Sequence, residues 1–120
     1  MDQNELKART KRFGIEVLRF CSSLPRTDAY RVAGRQLMRA ATSVGANYRA
    51  ACRGRSRSEF IAKLGIVEEE ADEALYWLEV LMEYGERDAV DEAQCRMLHR
   101  EASEILAIVV SSIRTARRNR

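Results

Sequence analysis

The chain has 120 residues, 46% of them hydrophobic and 32% charged, with a formal net charge of +3. Such a composition suits one soluble, helix-rich domain over residues 1–120, long enough to bury a core. No run of about 18 apolar residues is present, which excludes a transmembrane helix, and the polar start Met1-Asp2-Gln3-Asn4-Glu5 is not that of a secretory signal.

A first helix is predicted from about Asn4 to Cys21, with Phe13, Val17, Leu18 and Phe20 as its apolar positions. Ser22-Ser23-Leu24-Pro25 ends it, because proline disfavours helical geometry in the residue before it. Thr27 is placed to cap a second helix running to about Arg53, and Gly54 to stop it in the left-handed conformation. Tyr30, Ala33, Leu37, Ala40, Val44, Tyr48 and Ala51 share one face of this helix. Arg31, Arg35, Arg49 and Arg53 fall on the opposite sector, with Arg39 at its edge. Gly34, Ala41, Gly45 and Cys52 line one flank of the core face, where small side chains let another helix approach closely. Ser43 and Asn47 lie at the other edge and need partners if buried.

Arg55 and Arg57 extend the arginine stripe into the next turn. Ser56 and Glu59 have the spacing of a capping box at the start of a third helix. Phe60, Ile61, Leu64, Val67, Ala71, Ala74, Leu75, Leu78, Leu81 and Met82 give that helix an apolar stripe at three- and four-residue spacing. Ile66, Trp77, Val80 and Tyr84 form a second row, interleaved with Glu70 and Glu73. An aromatic-bearing row of this kind reads as a subunit interface, the competing role being an enlarged core. Gly85 ends the helix, and a fourth is predicted from Asp88, capped by it and burying Leu98, Ala102, Ile105, Leu106, Val109 and Ile113. Arg114, Arg117, Arg118 and Arg120 form a basic tail. Four helices with short connections give an all-α, antiparallel up-down-up-down four-helix bundle.

Charge is divided unevenly. Residues 1–63 carry 14 Lys/Arg and 5 Asp/Glu, whereas residues 64–120 carry 7 and 13. A cationic stripe on a helix is suited to polyanions. Arg31, Arg35, Arg39, Arg49, Arg53, Arg55 and Arg57 are accordingly the candidate nucleic-acid contacts. The alternative is that these arginines pair with the acidic third helix of a neighbouring subunit in a protein-interaction scaffold.

Groupings for catalysis are missing. His99 is the sole histidine, without the Glu-x-x-His spacing of a di-iron bundle, and no phosphate loop or nucleophile elbow occurs. The run Glu68-Glu69-Glu70-Ala71-Asp72-Glu73 points its carboxylates in different directions, so no metal site is expected and no cofactor is assigned. Cys21, Cys52 and Cys95 lack zinc-site spacing and read as reduced thiols of a cytoplasmic protein. Cys52 neighbours Arg49, Arg53 and Arg55, yet its place beside the apolar face favours a buried structural thiol.

The segments Leu24-Pro25, Arg39-Ala40-Ala41-Thr42-Ser43-Val44-Gly45-Ala46-Asn47, Ser58-Glu59-Phe60-Ile61-Ala62-Lys63-Leu64, Glu68 to Glu73 and Leu75-Tyr76-Trp77-Leu78 resemble a bacterial four-helix-bundle family. It includes proteins encoded in intervening sequences of 23S ribosomal RNA genes and accessory proteins of diversity-generating retroelements. The resemblance implies a homo-oligomeric ring, commonly of five. For the retroelement members it also implies a basic nucleic-acid-binding surface and a reverse transcriptase partner. Gly45 stands where that family often has proline. Arg49-Ala50-Ala51-Cys52-Arg53 replaces an Ile-Ala-Glu-Gly-like run, which makes this turn more basic.

Overall fold

The computed structural model describes residues 1–86 and 88–119. Four helices follow in order: α1 (Gln3–Ser22), α2 (Asp28–Cys52), α3 (Arg57–Tyr84) and α4 (Glu92–Arg118). They form an up-down-up-down bundle about 50 × 19 × 19 Å. α1 packs on α2 and α4, α3 packs on α2 and α4, and the α1–α4 seam is the slightest of the four.

One core draws on all four helices. Phe13, Leu37, Leu64, Leu78, Leu81 and Ile105 are fully enclosed in it, each side chain contributing about 1.5–3 kcal/mol of transfer free energy. All seven apolar positions expected on the inner face of α2 are buried. Leu18 departs from expectation. It is 44% exposed, because it faces outward beside Ile15 and not toward Val17 and Phe20. Leu106, Phe60, Ile61 and Met82 are half-buried at the margin of the core.

Small residues set the α1–α2 spacing. A Cβ on Gly45 would stand 3.2 Å from backbone atoms of Thr10 and Lys11. Thr10 is fully buried there, its hydroxyl donating to the Leu6 carbonyl at 2.8 Å. Asn47 solves its polar problem inside its own helix, donating to the Ser43 carbonyl at 2.9 Å, not across an interface.

The helix ends correct two expectations and refine two more. Asp88 does not start α4. It lies in the preceding turn with φ 65°, and Asp91 is the cap, its carboxylate accepting from the Gln94 N–H at 3.0 Å. Gly54 is not left-handed, since no described glycine has positive φ. What the turn requires there is small size: a Cβ would lie 3.1 Å from the Ala51 carbonyl oxygen. Thr27 holds the N-cap position of α2 without a side-chain capping bond. Ser56 accepts from the Glu59 N–H at 3.1 Å, and Glu59 reaches back to the N–H of Arg55, one residue beyond the box. Of the expected basic tail, Arg114, Arg117 and Arg118 belong to α4, and Arg120 lies outside the described residues.

Candidate nucleic-acid interface

The seven candidate arginines do not form one ridge. Arg39 leaves it altogether: its guanidinium bridges Glu70 at 3.0 Å and also binds Glu73, both on α3. The candidate interface residues Glu70 and Glu73 are therefore committed within the protomer, clamping α3 to α2. Arg31 lies 3.5 Å from Asp28 of its own helix. Arg35 is exposed near Arg31, at the end of the bundle where α2 begins. Fourteen residues of helix, about 21 Å, separate Arg35 from Arg49.

Arg49, Arg53, Arg55 and Arg57 remain together at the α2–α3 turn. All four are exposed, and none forms an ion pair among the described residues. The antiparallel order brings other cations to the same end. α1 starts there with Lys7 and Lys11, α3 contributes Lys63, and α4 finishes there with Arg114, Arg117 and Arg118. Lys7, Lys11 and Arg49 border one groove of about 490 Å³ between α1 and α2, floored by Gly14, Gly45 and Ala46.

The charge asymmetry consequently runs along the bundle axis, not from one helix pair to the other. Segments 1–12, 46–64 and 109–119 meet at the α2–α3 turn end and hold twelve Lys/Arg against three Asp/Glu. The remaining segments, 13–45 and 65–108, hold eight against fifteen. Among the described residues, only Arg9 of the basic group is tied up in an ion pair, by Glu101 and Glu104 of α4. Lys7, Lys11 and the α4 arginines were not singled out from sequence as ligand contacts, because they lie far along the chain from the arginine turn, nor was Lys63, which follows it on α3. Their shared signal was the helix count, which fixes which termini meet.

The residues of the second predicted row are divided between core and surface. Trp77 is half-buried and packs against the core. Val80 is half-buried, Ile66 is 37% exposed and Tyr84 54% exposed. Tyr84 packs edge-on against the buried Tyr30, ring centroids 5.5 Å apart, and the Tyr30 hydroxyl accepts from the Glu86 N–H at 3.2 Å. Val32 of α2 and Trp77, Val80 and Tyr84 of α3 line an apolar groove of about 390 Å³, which Ile66 does not border.

Elsewhere the chemistry is quiet. Among the described residues no three His, Cys, Asp or Glu side chains are grouped to hold a metal ion. His99 sits 2.9 Å from Glu79. Burial pushes the Cys21 thiol up to about 12 and the Cys95 thiol up to about 11, which suppresses thiolate formation at neutral pH. Cys52 is half-buried and is not disulfide-bonded. No described helix is long and apolar enough to cross a membrane.

The profile of a family described as 23S rRNA-intervening sequence protein matches residues 2–111. The chain belongs to that family. A solved structure agrees: a protein of unknown function of the S23 ribosomal protein family from Bacteroides thetaiotaomicron, 31% identical. It superposes with a TM-score of 0.84 over 95% of this chain and 99% of its own. No curated protein matches the chain. The chain thus shares its whole bundle with a relative, and its charge arrangement must be read from its own residues.

Proposed function

We propose that this protein is a non-enzymatic, self-associating bundle that binds RNA or DNA through its basic end. The observation carrying this reading is the set Arg49, Arg53, Arg55 and Arg57, exposed and without an ion pair among the described residues, surrounded by Lys63 and by the Lys and Arg of two further helix termini. Guanidinium groups form bidentate contacts with phosphate oxygens. No exposed aromatic ring stands among these arginines, since Tyr48 is buried and Phe60 half-buried. Base stacking is therefore not part of the proposal, and contacts to the phosphate backbone carry no sequence information. Self-association would repeat the basic end and turn weak contacts into avidity.

Fluorescence anisotropy with labelled RNA and DNA duplexes of unrelated sequence tests this. Binding should be similar across sequences and fall steeply from 50 to 200 mM salt, as counterion release requires. Arg53→Ala with Arg55→Ala should weaken binding uniformly and flatten the salt slope by about one unit per lost contact. Failure of the wild-type protein to bind any of them at low salt would exclude the reading. The scaffold function, with arginines serving contacts between subunits, would take its place.

A further inference from the structure

The slight α1–α4 seam leaves a groove of about 330 Å³ that the protomer does not fill. Its floor is Phe13 and Leu98, both buried, and Met97 stands on its α4 bank 66% exposed. On α4 the lining runs from Gln94 to Glu104, about 15 Å or nearly three helical turns. The charges around this apolar strip are unequally engaged. Each carboxylate bordering the groove is held by an arginine of the same chain. Glu16 is bound by Arg19 at 2.8 Å, Glu101 by Arg9 at 2.7 Å, and Glu104 shares that Arg9. The two bordering arginines, Arg12 of α1 and Arg100 of α4, are exposed and form no ion pair among the described residues.

We propose that this groove docks an acidic amphipathic helix of a different protein. A helix laid in an apolar groove binds through anchors spaced i, i+3/i+4 and i+7 on one face. The length of the lining suits such anchors, set against Phe13, Met97 and Leu98. Methionine adapts its flexible thioether to irregular partners, and Met and Arg are residue types enriched where proteins meet. The two unengaged guanidiniums, one on each bank, set the charge of the occupant. The incoming helix carries Asp or Glu on either side of its apolar stripe, where each carboxylate can take a bidentate contact. A nucleic-acid backbone is less well matched, because its evenly spaced phosphates would also lie over Glu16, Glu101 and Glu104. A second copy offering this same face is less well matched too, since the carboxylates it would bring are already held by Arg9 and Arg19.

The site is separate from the basic end and does not depend on nucleic-acid binding. Its test is a selection from a displayed library of random helical peptides on the purified full chain. Depletion on the Met97→Asp variant removes peptides that bind elsewhere, acidic ones on the basic end included. The surviving peptides should carry Asp or Glu flanking an apolar i, i+4, i+7 stripe. A labelled survivor is then titrated by fluorescence anisotropy. Arg12→Glu with Arg100→Glu should weaken it by about tenfold or more. The same double variant should bind the peptide remade with Lys in place of its acids. All three substituted side chains are exposed, so circular dichroism should report unchanged helices. A selection that enriches no acidic, apolar-striped peptide would overturn the proposal, as would undiminished affinity in the arginine variant. Ready displacement of the peptide by a DNA duplex would overturn it by giving the groove to nucleic acid. A fall in assembly mass of Met97→Asp, read by light scattering, would overturn it by giving the groove to a second copy.

Discussion

Arg9 of α1 meets Glu101 of α4 through two hydrogen bonds of 2.7 Å, Nε to Oε2 and Nη2 to Oε1. This bidentate pair, joined by Glu104, spans the slightest helix seam of the bundle. Beside it runs a groove of about 330 Å³ between Phe13 and Leu98, so little apolar packing reinforces the seam. The ion pair holds α1 to α4 where the core does so least.

The hydrogen bonds from Arg9 hold the Glu101 carboxyl below the ordinary glutamate value of 4.5. A carboxylate depressed by folding contributes its stability above that ordinary value and loses it as pH falls through the lowered one. Thermal unfolding should therefore show a midpoint that drops below about pH 4.5. Glu101→Gln should cost about 1 kcal/mol at pH 7 and should flatten the acid limb. An unchanged acid limb in the variant would place the acid sensitivity elsewhere.

Gly45 and Gly65 are both helical, and replacing each by alanine should have opposite outcomes. A Cβ on Gly65 meets nothing within 4 Å. Gly65→Ala should stabilise by about 0.5–1 kcal/mol through helix propensity and reduced unfolded-chain freedom. At Gly45 the same gain is opposed by the 3.2 Å approach to the α1 backbone, which gives way only if the helix shifts. Overpacking costs about 1–3 kcal/mol, so Gly45→Ala should be neutral to destabilising. Chemical denaturation of the two variants decides it.

The thiols offer an independent check on the core. Cys95 is fully buried, and Cys21 is half-buried at the other side of the same bundle end. With both thiols pushed up to about 11 and 12 by burial, an aromatic disulfide reagent at pH 8 should label them slowly in the native protein. Denaturant should release both at once with the global transition. Rapid native labelling of Cys95 would mean that the α3–α4 seam opens on its own.

The bundle was legible because its signals are local. Periodicity marked the inner faces of α2 and α3, Pro25 and Gly85 marked ends, and Ser56 with Glu59 marked a start. The start of α4 was misplaced because Asp88 and Asp91 are both chemically competent caps. Only Asp91 has Gln94 three residues on, with the apolar pattern following it. The site was less legible, because pairing depends on which helices are neighbours. A helical wheel places Arg39 beside Arg35, and it does not show that Glu70 and Glu73 face it across the α2–α3 seam. Likewise, Lys7 and Arg114 join Arg53 only once the helix directions are fixed.

Arg39 and Arg53 look alike along the sequence and should behave oppositely. Arg39 is engaged by two carboxylates, and the pairing favours its charged form. Its guanidinium has few directions left for phosphate. Removing it leaves Glu70, which is largely enclosed, and Glu73 as like charges three residues apart on one helix. Arg39→Ala should therefore lower the melting temperature, and Glu73→Gln in the same chain should recover part of the loss. Nucleic-acid affinity and its salt slope should stay at wild-type values. Arg53→Ala should do the reverse: stability should change little, because the side chain is exposed and unpaired, while the salt slope falls by about one unit. If Arg39→Ala flattens the salt slope as much as Arg53→Ala does, the clamp opens to nucleic acid and the binding surface extends along the whole of α2.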